Sequence, residues 1–367
     1  QGTVTVAPPS YRFDLAIEED LIEEVARMVG YNHLPTTPPL APITPKLQLE
    51  SQRSPFAVRR MLAGLGYQET INFSFVEERW ERELAGNADP IRLLNPIASQ
   101  MSVMRSSLLG SLLQVLKFNT DRRAERVRVF ELGRVFLRDA SVANTDTTVQ
   151  GYHQPMRVAG LAYGGVDLLQ WGRKEHAVDF FDVKGDVEAL LAPLSARFEP
   201  AEHPAMHPGR CARVCLGERV IGHVGELHPR WRQAWELPQA PVLFELELDA
   251  VLQRPVPRFA PVPKHQMVER DLAVVVAEAV THGAIMGAIR AALPTELLRD
   301  AVLFDVFRPQ QGKGVQVGSA GLELGEKSLA VRLTLGGHAP LTEADIDAAV
   351  QAVLAQLKAQ VGARLRG

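Results

Sequence analysis

Apolar residues near the start of the chain recur at the spacing of a helix. Ile17, Leu21, Val25 and Met28 follow one another at steps of four, four and three, which places them on one helical face. Acidic residues fill the first turn of this segment, where the partial positive charge of a helix N-terminus favours them. The pattern predicts an amphipathic helix close to the N-terminal end of the sequence.

The middle of the chain changes repeatedly between helical and strand-like periods. Helical spacing covers 54–65, a segment that follows Met104 and runs through Lys117, and 182–191. Strand-like runs cover 69–76, 126–136, 158–163, and a hairpin made of 212–216 and 219–224. This mixture predicts an α+β domain built on a largely antiparallel sheet.

The last third of the chain has a simpler order of elements. Strand patterns at 271–276, 302–308, 328–335 and 363–365 are interrupted by two helical patterns that open at Thr281 and Thr342. A glycine-rich loop, 309–326, joins the second strand to the third. The order β-α-β-β-α-β predicts a ferredoxin-like fold.

Two proline-dense stretches, at 36–45 and 254–263, divide the sequence, because such segments form neither helices nor central strands. We therefore expect four parts, in this order: a small helical module at 1–35, a linker at 36–49, a core domain at 50–254 and a C-terminal domain at 255–367.

Composition excludes several classes of protein. The chain has a formal net charge of −3 and two cysteines in 367 residues, so neither a globally basic nucleic-acid binder nor a disulfide scaffold is indicated. No apolar run is long enough to span a membrane and no signal-peptide pattern is present, so we expect a cytoplasmic protein. Its opening residues suggest a C-terminal fragment of a longer chain.

A group of acids on the first helix is a candidate metal site. Asp20, Glu23 and Glu24 are spaced i, i+3 and i+4, so they share one helical face, and Asp14 on the preceding segment can fold back towards them. Oxygen ligands without His or Cys suit Mg²⁺ or Ca²⁺. The alternative is a solvated acidic face, with Glu23 paired to Arg27.

The run that contains these acids closely resembles a signature of the bacterial phenylalanyl-tRNA synthetase beta subunit. The residues that carry the resemblance are 9–14, 18–27 and 30–32. In that family, the carboxylates that match Asp14, Asp20, Glu23 and Glu24 bind Mg²⁺ attributed to the pair of subunits, so the resemblance implies the same site here.

The core domain resembles the class II aminoacyl-tRNA synthetase fold in the form that this beta subunit has. The matching segments are 94–96, 104–109, 129–133, 207–210 and 222–229. An active class II domain needs an arginine that clamps the ATP phosphates, and Glu131 stands at that place after Phe130. A glycine-rich strand that ends in a second arginine is not recognisable either. We therefore expect a catalytically silent domain that supports a partner subunit.

The C-terminal domain resembles the ferredoxin-fold anticodon-binding domain that ends the same subunit. The matching segments are 270–273, 304–308, 326–330 and 341–342. Single-stranded RNA is read by stacking on aromatic and arginine planes, and the candidate RNA-binding residues are Arg270, Phe304, Arg308, Lys327 and Arg332. Phe304 and Phe307 have odd spacing, which predicts opposite faces of one strand. Pairing with neighbouring acids is the alternative for Arg270 and Lys327.

A zinc site is a weaker possibility. His203, His207, Cys211 and Cys215 lie at regular steps of four. Prolines in the segment exclude a helix, and two cysteines four residues apart on a strand are about 13 Å apart, too far for one tetrahedral ion.

Two functions from different classes fit these observations. In the first, the chain is the non-catalytic C-terminal part of the synthetase beta subunit. The resemblance then implies an alpha partner that binds ATP and phenylalanine in an α2β2 heterotetramer. It also implies Mg²⁺ shared with that partner and a tRNA(Phe) substrate, with no role for DNA or membranes. In the second, the chain is a synthetase-like paralogue that binds RNA or protein without aminoacylation.

Overall fold

The chain divides into two units, Gln1–Val256 and Pro257–Gly367. The computed structural model describes residues 2–43, 45, 47–259, 262, 264–309, 322–323, 325–337 and 339–366. Most of the glycine-rich loop predicted at 309–326 lies outside the described residues. The second unit starts two residues after the predicted domain boundary at 255.

The first helix, α1 (Glu18–Val29), forms where the apolar periodicity predicts it, and Gly30 follows with φ of +96°. Its apolar face is not covered, because Ile22, Val25 and Met28 are 59, 63 and 77% exposed. Within the described residues, burial therefore does not stabilise this helix. It is stabilised instead by local contacts at its N-terminus.

Within the described residues, the first unit continues with six more α-helices and eleven strands. The helices are α2 (Pro55–Gly64), α3 (Glu78–Glu83), α4 (Leu109–Thr120), α5 (Phe180–Leu191), α6 (Pro229–Ala234) and α7 (Leu248–Leu252). The strands are β1 (Gln68–Glu69), β2 (Phe75–Val76), β3 (Val103–Met104), β4 (Val127–Arg134), β5 (Leu137–Arg138), β6 (Tyr152–His153), β7 (Met156–Tyr163), β8 (Arg197–Pro200), β9 (Met206–Leu216), β10 (Arg219–Leu227) and β11 (Val242–Glu247).

Seven of these strands form one sheet in the order β1-β4-β7-β11-β10-β9-β8. Among them only β1 and β4 pair in parallel, so the largely antiparallel sheet is confirmed. Side chains along each strand alternate between the two faces of the sheet, so each face carries its own core. Phe130 and Phe244 pack in the core that includes residues of α2, α5 and α7, while Val129 and Leu243 pack in the core that includes α4.

The predicted strand at 69–76 is wrong in its centre. Only its two ends are strands, and residues 70–74 leave the sheet between them. Asn72 donates to Glu131 at 2.8 Å, while Ile71 and Phe73 point outward and are 93 and 64% exposed. The alternation of apolar residues in this segment reflects an exposed apolar surface rather than a half-buried strand.

The second unit has the predicted ferredoxin-like fold. Its elements are β12 (Val268–Ala277), α8 (His282–Ala292), β13 (Leu298–Phe307), β14 (Glu326–Leu335), α9 (Glu343–Val361) and β15 (Arg364–Leu365). The strands pair antiparallel in the order β13-β14-β12-β15. Thr281 and Thr342 cap the two helices, as their position before each apolar pattern predicts. Both helices pack on the sheet face that carries Val331 and Leu333.

None of the helices in the described part of the chain is both long enough and apolar enough to span a bilayer.

Candidate functional site

The acidic group at the start of α1 is organised by an arginine. Arg12 bonds Asp14 at 2.8 Å and Glu24 at 2.5 Å, and Arg27 reaches the other oxygen of Glu24 at 2.6 Å. These hydrogen bonds lower the pKa of Glu24 to about 2, with Arg12 the larger cause and Arg27 the second. Arg12 likewise lowers the pKa of Asp14. Both carboxylates are therefore ionised at neutral pH and already paired with cations.

Asp20 has a different role, because its carboxylate accepts from the backbone N–H groups of Ala16 and Ile17 at 2.8 and 2.9 Å. It therefore caps the helix. Glu23 lies on the same helix, and among the described residues no group of three or more potential ligands is placed to hold a metal ion. The four predicted ligands have the right chemistry for Mg²⁺, but this arrangement does not fit the ion, since Arg12 occupies two of them.

The segment 104–109, which carries part of the resemblance, ties the start of α4 to three buried acids. Arg105 forms an ion pair with Glu131 at 2.8 Å. The backbone N–H of Ser106 donates to Glu81 at 2.9 Å, and that of Leu108 donates to Glu245 at 2.6 Å. The three acids come from β4, α3 and β11, so one short segment links three distant parts of the unit.

Glu131 is the residue that the class II resemblance places where an active enzyme would have its phosphate-binding arginine. Its side chain is 4% exposed and its partner Arg105 is 3% exposed. Asn72 also donates to it at 2.8 Å. A buried carboxylate held by two donors presents negative charge, which does not suit a phosphate.

The zinc alternative has no support in the described residues, where no metal-binding group is found. Cys211 contacts the sulfur of Met206 at 3.6 Å, and burial raises its pKa to about 11. His203 instead packs against His223, with ring centroids 5.1 Å apart.

In the second unit, the sheet face opposite α8 and α9 carries two of the predicted RNA-binding residues. We call this the open face. Leu303 pairs with Val331 and Asp305 pairs with Ala330, so Phe304 lies in a β-bulge between them. Its ring is 52% exposed and lies under the guanidinium of Arg332, 5.4 Å from the ring centroid.

The bulge overturns the prediction that Phe304 and Phe307 face opposite sides. One extra residue shifts the alternation, so both rings lie on the open face. Phe307 pairs with Ser328 and contacts Arg366, whose guanidinium is 5.4 Å from its ring centroid. Arg366 was missed by sequence reasoning, because it follows the predicted strand at 363–365 and its contact with Phe307 joins residues far apart in the sequence.

Arg332, the predicted RNA-binding arginine on this face, is neutralised by acids. Arg332 makes two hydrogen bonds to Asp271, at 2.8 and 2.9 Å, and lies 3.4 Å from Glu269. The same contact with Arg332 lowers the pKa of Asp271. The open face therefore offers exposed aromatic rings, with an acid-paired arginine beside Phe304 and Arg366 beside Phe307.

The other three predicted residues lie away from the open face. Arg270 pairs with Glu343 at the start of α9, at 3.0 Å. Arg308 pairs with Glu278 at 3.0 Å. Lys327 is buried and donates to the carbonyl of Glu278 at 2.7 Å. Arg270 and Arg308 are thus paired with acids, whereas Lys327 bonds a backbone carbonyl and lies 3.9 Å from the Glu278 carboxylate.

Three family models match the chain, and together they cover most of it. The phenylalanyl tRNA synthetase beta chain CLM domain matches residues 34–248, and the ferredoxin-fold anticodon binding domain matches residues 263–366. The tRNA synthetase B5 domain matches residues 1–31.

Curated relatives match over nearly the whole chain. Phenylalanine--tRNA ligase beta subunits from Cupriavidus pinatubonensis and Burkholderia lata are each 52% identical over 99% of the chain, and that from Chromobacterium violaceum is 49% identical over 99%. The chain covers 44% of the length of each relative. A solved pyrrolysyl-tRNA synthetase from Desulfitobacterium hafniense aligns with 54% of this chain and 65% of its own, at 11% identity and a TM-score of 0.37, too low to carry an argument. The beta-chain model alone spans more than half of the sequence, and the chain belongs to the phenylalanyl-tRNA synthetase beta subunit family.

Proposed function

We propose that this chain is a non-catalytic part of a phenylalanine–tRNA ligase. It supports an alpha subunit that binds ATP and phenylalanine, and it contacts tRNA(Phe) through its second unit. As part of a translation enzyme, it acts in the cytoplasm, and the assembly is an α2β2 heterotetramer.

The observation that carries the non-catalytic role is the buried ion pair of Arg105 and Glu131. Phosphoryl chemistry on ATP needs positive charge aimed at the phosphates. The chain places a carboxylate at the corresponding position and uses its nearest arginine to neutralise that carboxylate. The core domain is thereby a scaffold rather than an ATP site.

The RNA role is supported by the open face. Stacking of a base on an aromatic ring contributes about 1–3 kcal/mol and does not need a net positive surface. Phe304 is half exposed on a bulge that presents its ring, and Arg332 lies beside it. Because Arg332 is paired with Asp271, electrostatic attraction to RNA is small and the affinity for isolated tRNA is modest.

The test uses the enzyme assembled from this beta chain and its alpha subunit. We expect Phe304→Leu and Arg332→Gln each to raise the KM for tRNA(Phe) about tenfold while kcat changes little, since they act on binding. Arg290→Gln is the matched control, because Arg290 is exposed on α8, away from the open face.

Equal KM values for tRNA(Phe) in the three variants would show that the open face does not bind tRNA. Failure of the chain to assemble with an alpha subunit would instead favour the second hypothesis, a paralogue that binds RNA or protein without aminoacylation.

A further inference from the structure

A cleft in the first unit has polar walls that neither the fold nor the proposed function explains. It has a volume of about 330 Å³ and is lined in part by Arg157, His203, His223 and Glu245. These residues come from β7, β10, β11 and the segment before β9. The cleft belongs to one chain and lies within one unit.

The two oxygens of Glu245 have different surroundings. Oε1 accepts from the backbone N–H of Leu108 at 2.6 Å and from the hydroxyl of Ser107 at 3.2 Å. Oε2 faces Arg157, whose Nη1 is 4.0 Å away, beyond hydrogen-bond distance. The protein therefore satisfies one oxygen fully and leaves the other for a further donor.

Arg157 is the complementary half of this arrangement. Its side chain is only 23% exposed, yet its Nε has no hydrogen-bond partner among the described residues. Glu245 at 4.0 Å is the nearest acid that forms an ion pair with it. A largely buried guanidinium with so few partners is costly unless an anion binds it.

The two histidines add neutral donors rather than charge. Burial lowers the pKa of His203 to about 4, with smaller contributions from His223 and Arg157, so it is neutral at pH 7. Its Nδ1 accepts from the N–H of Ala205 at 3.2 Å, which leaves the proton on Nε2. Burial also lowers the pKa of His223.

We propose that this cleft binds a free α-amino acid as its zwitterion, with the carboxylate on Arg157 and the ammonium on Glu245. In an α-amino acid, the ammonium and the carboxylate are bonded to the same carbon, so the nitrogen and the nearer carboxylate oxygen lie about 3 Å apart. A guanidinium and a carboxylate 4.0 Å apart can each bond one end of such a molecule.

The surroundings of the pair fit this ligand. Burial raises the pKa of Glu245, and the ammonium of the ligand offsets this effect because it favours the ionised carboxylate. Leu137 and Met206 provide apolar wall for a side chain, and the volume accommodates one. The site requires no catalysis by this chain, so the proposal holds or fails independently of the role in tRNA charging.

The test compares L-leucine with two analogues that each lack one charge, isoamylamine and 4-methylpentanoate, by saturation-transfer NMR and calorimetry on the purified chain. We expect leucine to bind at least about tenfold more tightly than either analogue. Absence of leucine binding at millimolar concentration overturns the proposal, and so does equal affinity for the three compounds.

Two variants assign the ends of the ligand. Arg157→Gln should weaken the binding of leucine about tenfold and leave the affinity for isoamylamine unchanged. Glu245→Gln, whose amide oxygen still accepts from the N–H of Leu108, should weaken the binding of leucine and leave the affinity for 4-methylpentanoate unchanged. Arg134→Gln is the control, because Arg134 bonds the carbonyl of Gln154 and does not line this cleft. A variant that weakens leucine and its analogue equally contradicts the assignment.

Discussion

The ion pair of Arg105 and Glu131 is a strong determinant of stability at the scale of single residues, because both side chains are at most 4% exposed. Removing one member leaves an uncompensated buried charge. We expect Arg105→Leu to lower the free energy of unfolding of the first unit by about 3–5 kcal/mol.

Urea unfolding followed by tryptophan fluorescence measures this change, because all four tryptophans lie in the first unit. The double variant Arg105→Leu/Glu131→Leu should recover much of the loss. Arg138→Leu is the control: it removes an exposed pair with Asp89 and should cost less than about 1 kcal/mol. A loss of stability no greater than that of the control would contradict the argument.

His203 makes stability depend on pH. Its pKa is about 4 in the folded chain against 6.5 for the free side chain, so the unfolded state binds the proton more readily. This contribution to stability is present in full above pH 6.5 and is lost as the pH falls from 6.5 towards 4. At pH 5 the loss is about 2 kcal/mol.

We expect His203→Asn to remove this part of the pH dependence, because an Asn oxygen can still accept from the N–H of Ala205. Unfolding free energies at pH 7 and pH 5 provide the comparison. The exposed His153→Asn should leave the difference between the two pH values unchanged. If both variants behave alike, burial of His203 does not govern the effect.

The residue scale also shows where sequence reasoning stops. Capping by Thr281 and Thr342 was predictable, since a cap is a contact between neighbours in sequence. The common face of Phe304 and Phe307 was not, because a β-bulge depends on how β13 registers with β14 and has no periodic signature.

At the scale of elements, some features of α1 were predictable from the sequence and others were not. Its bounds follow from apolar spacing, but the partner of each acid depends on how the segment before it folds back. Arg12 takes the position between Asp14 and Glu24 that sequence reasoning assigned to Mg²⁺. Binding of Mg²⁺ by these carboxylates stays a prediction.

Arg12→Gln tests that prediction. If Asp14, Asp20, Glu23 and Glu24 are metal ligands, removing the arginine frees Asp14 and one oxygen of Glu24, whose other oxygen stays paired with Arg27. The affinity of the chain for Mg²⁺ measured by calorimetry should then rise several-fold. Arg92→Gln, which removes one partner of Glu78 on α3, is the matched control. Unchanged Mg²⁺ affinity in the Arg12 variant would support the solvated acidic face.

The largely antiparallel character of the central sheet was predictable from the sequence, but its strand order was not. Strands β4, β7, β9 and β10 were recognised at least in part, whereas β11, which lies between β7 and β10, was missed. Its residues are buried on both sides except for Glu247, and the only strand signal in Val242–Glu247 is the short alternation from Phe244 to Glu247. Glu245, the acid that anchors α4, was missed with it.

At the scale of the whole molecule, catalysis is expected to require the partner. The purified chain should show no phenylalanine-dependent pyrophosphate exchange, because Glu131 and Arg105 neutralise each other where phosphate would bind. Adding the alpha subunit should restore exchange. A rate above background from this chain alone would show that its core domain is not silent.

The surface available for that partner is apolar in several places. Leu112 and Leu116 on α4 are fully buried, but Phe118 at the end of the same helix is 56% exposed and Phe56 on α2 is 71% exposed. Exposed apolar side chains also lie in the segments beside β2 and β3, where Ile71 is 93% and Leu94 98% exposed. Obligate interfaces are rich in such side chains.

The bond between Leu108 and Glu245 joins residues 137 positions apart. A ribosome that adds about 5–20 residues per second needs roughly 7–27 s to make the acid after it has made the helix start. During that interval α4 lacks its anchor, and its leucines have only part of the sheet to cover them. Nascent chains that end before β11 should therefore be clients of chaperones, and chains released at that point should aggregate.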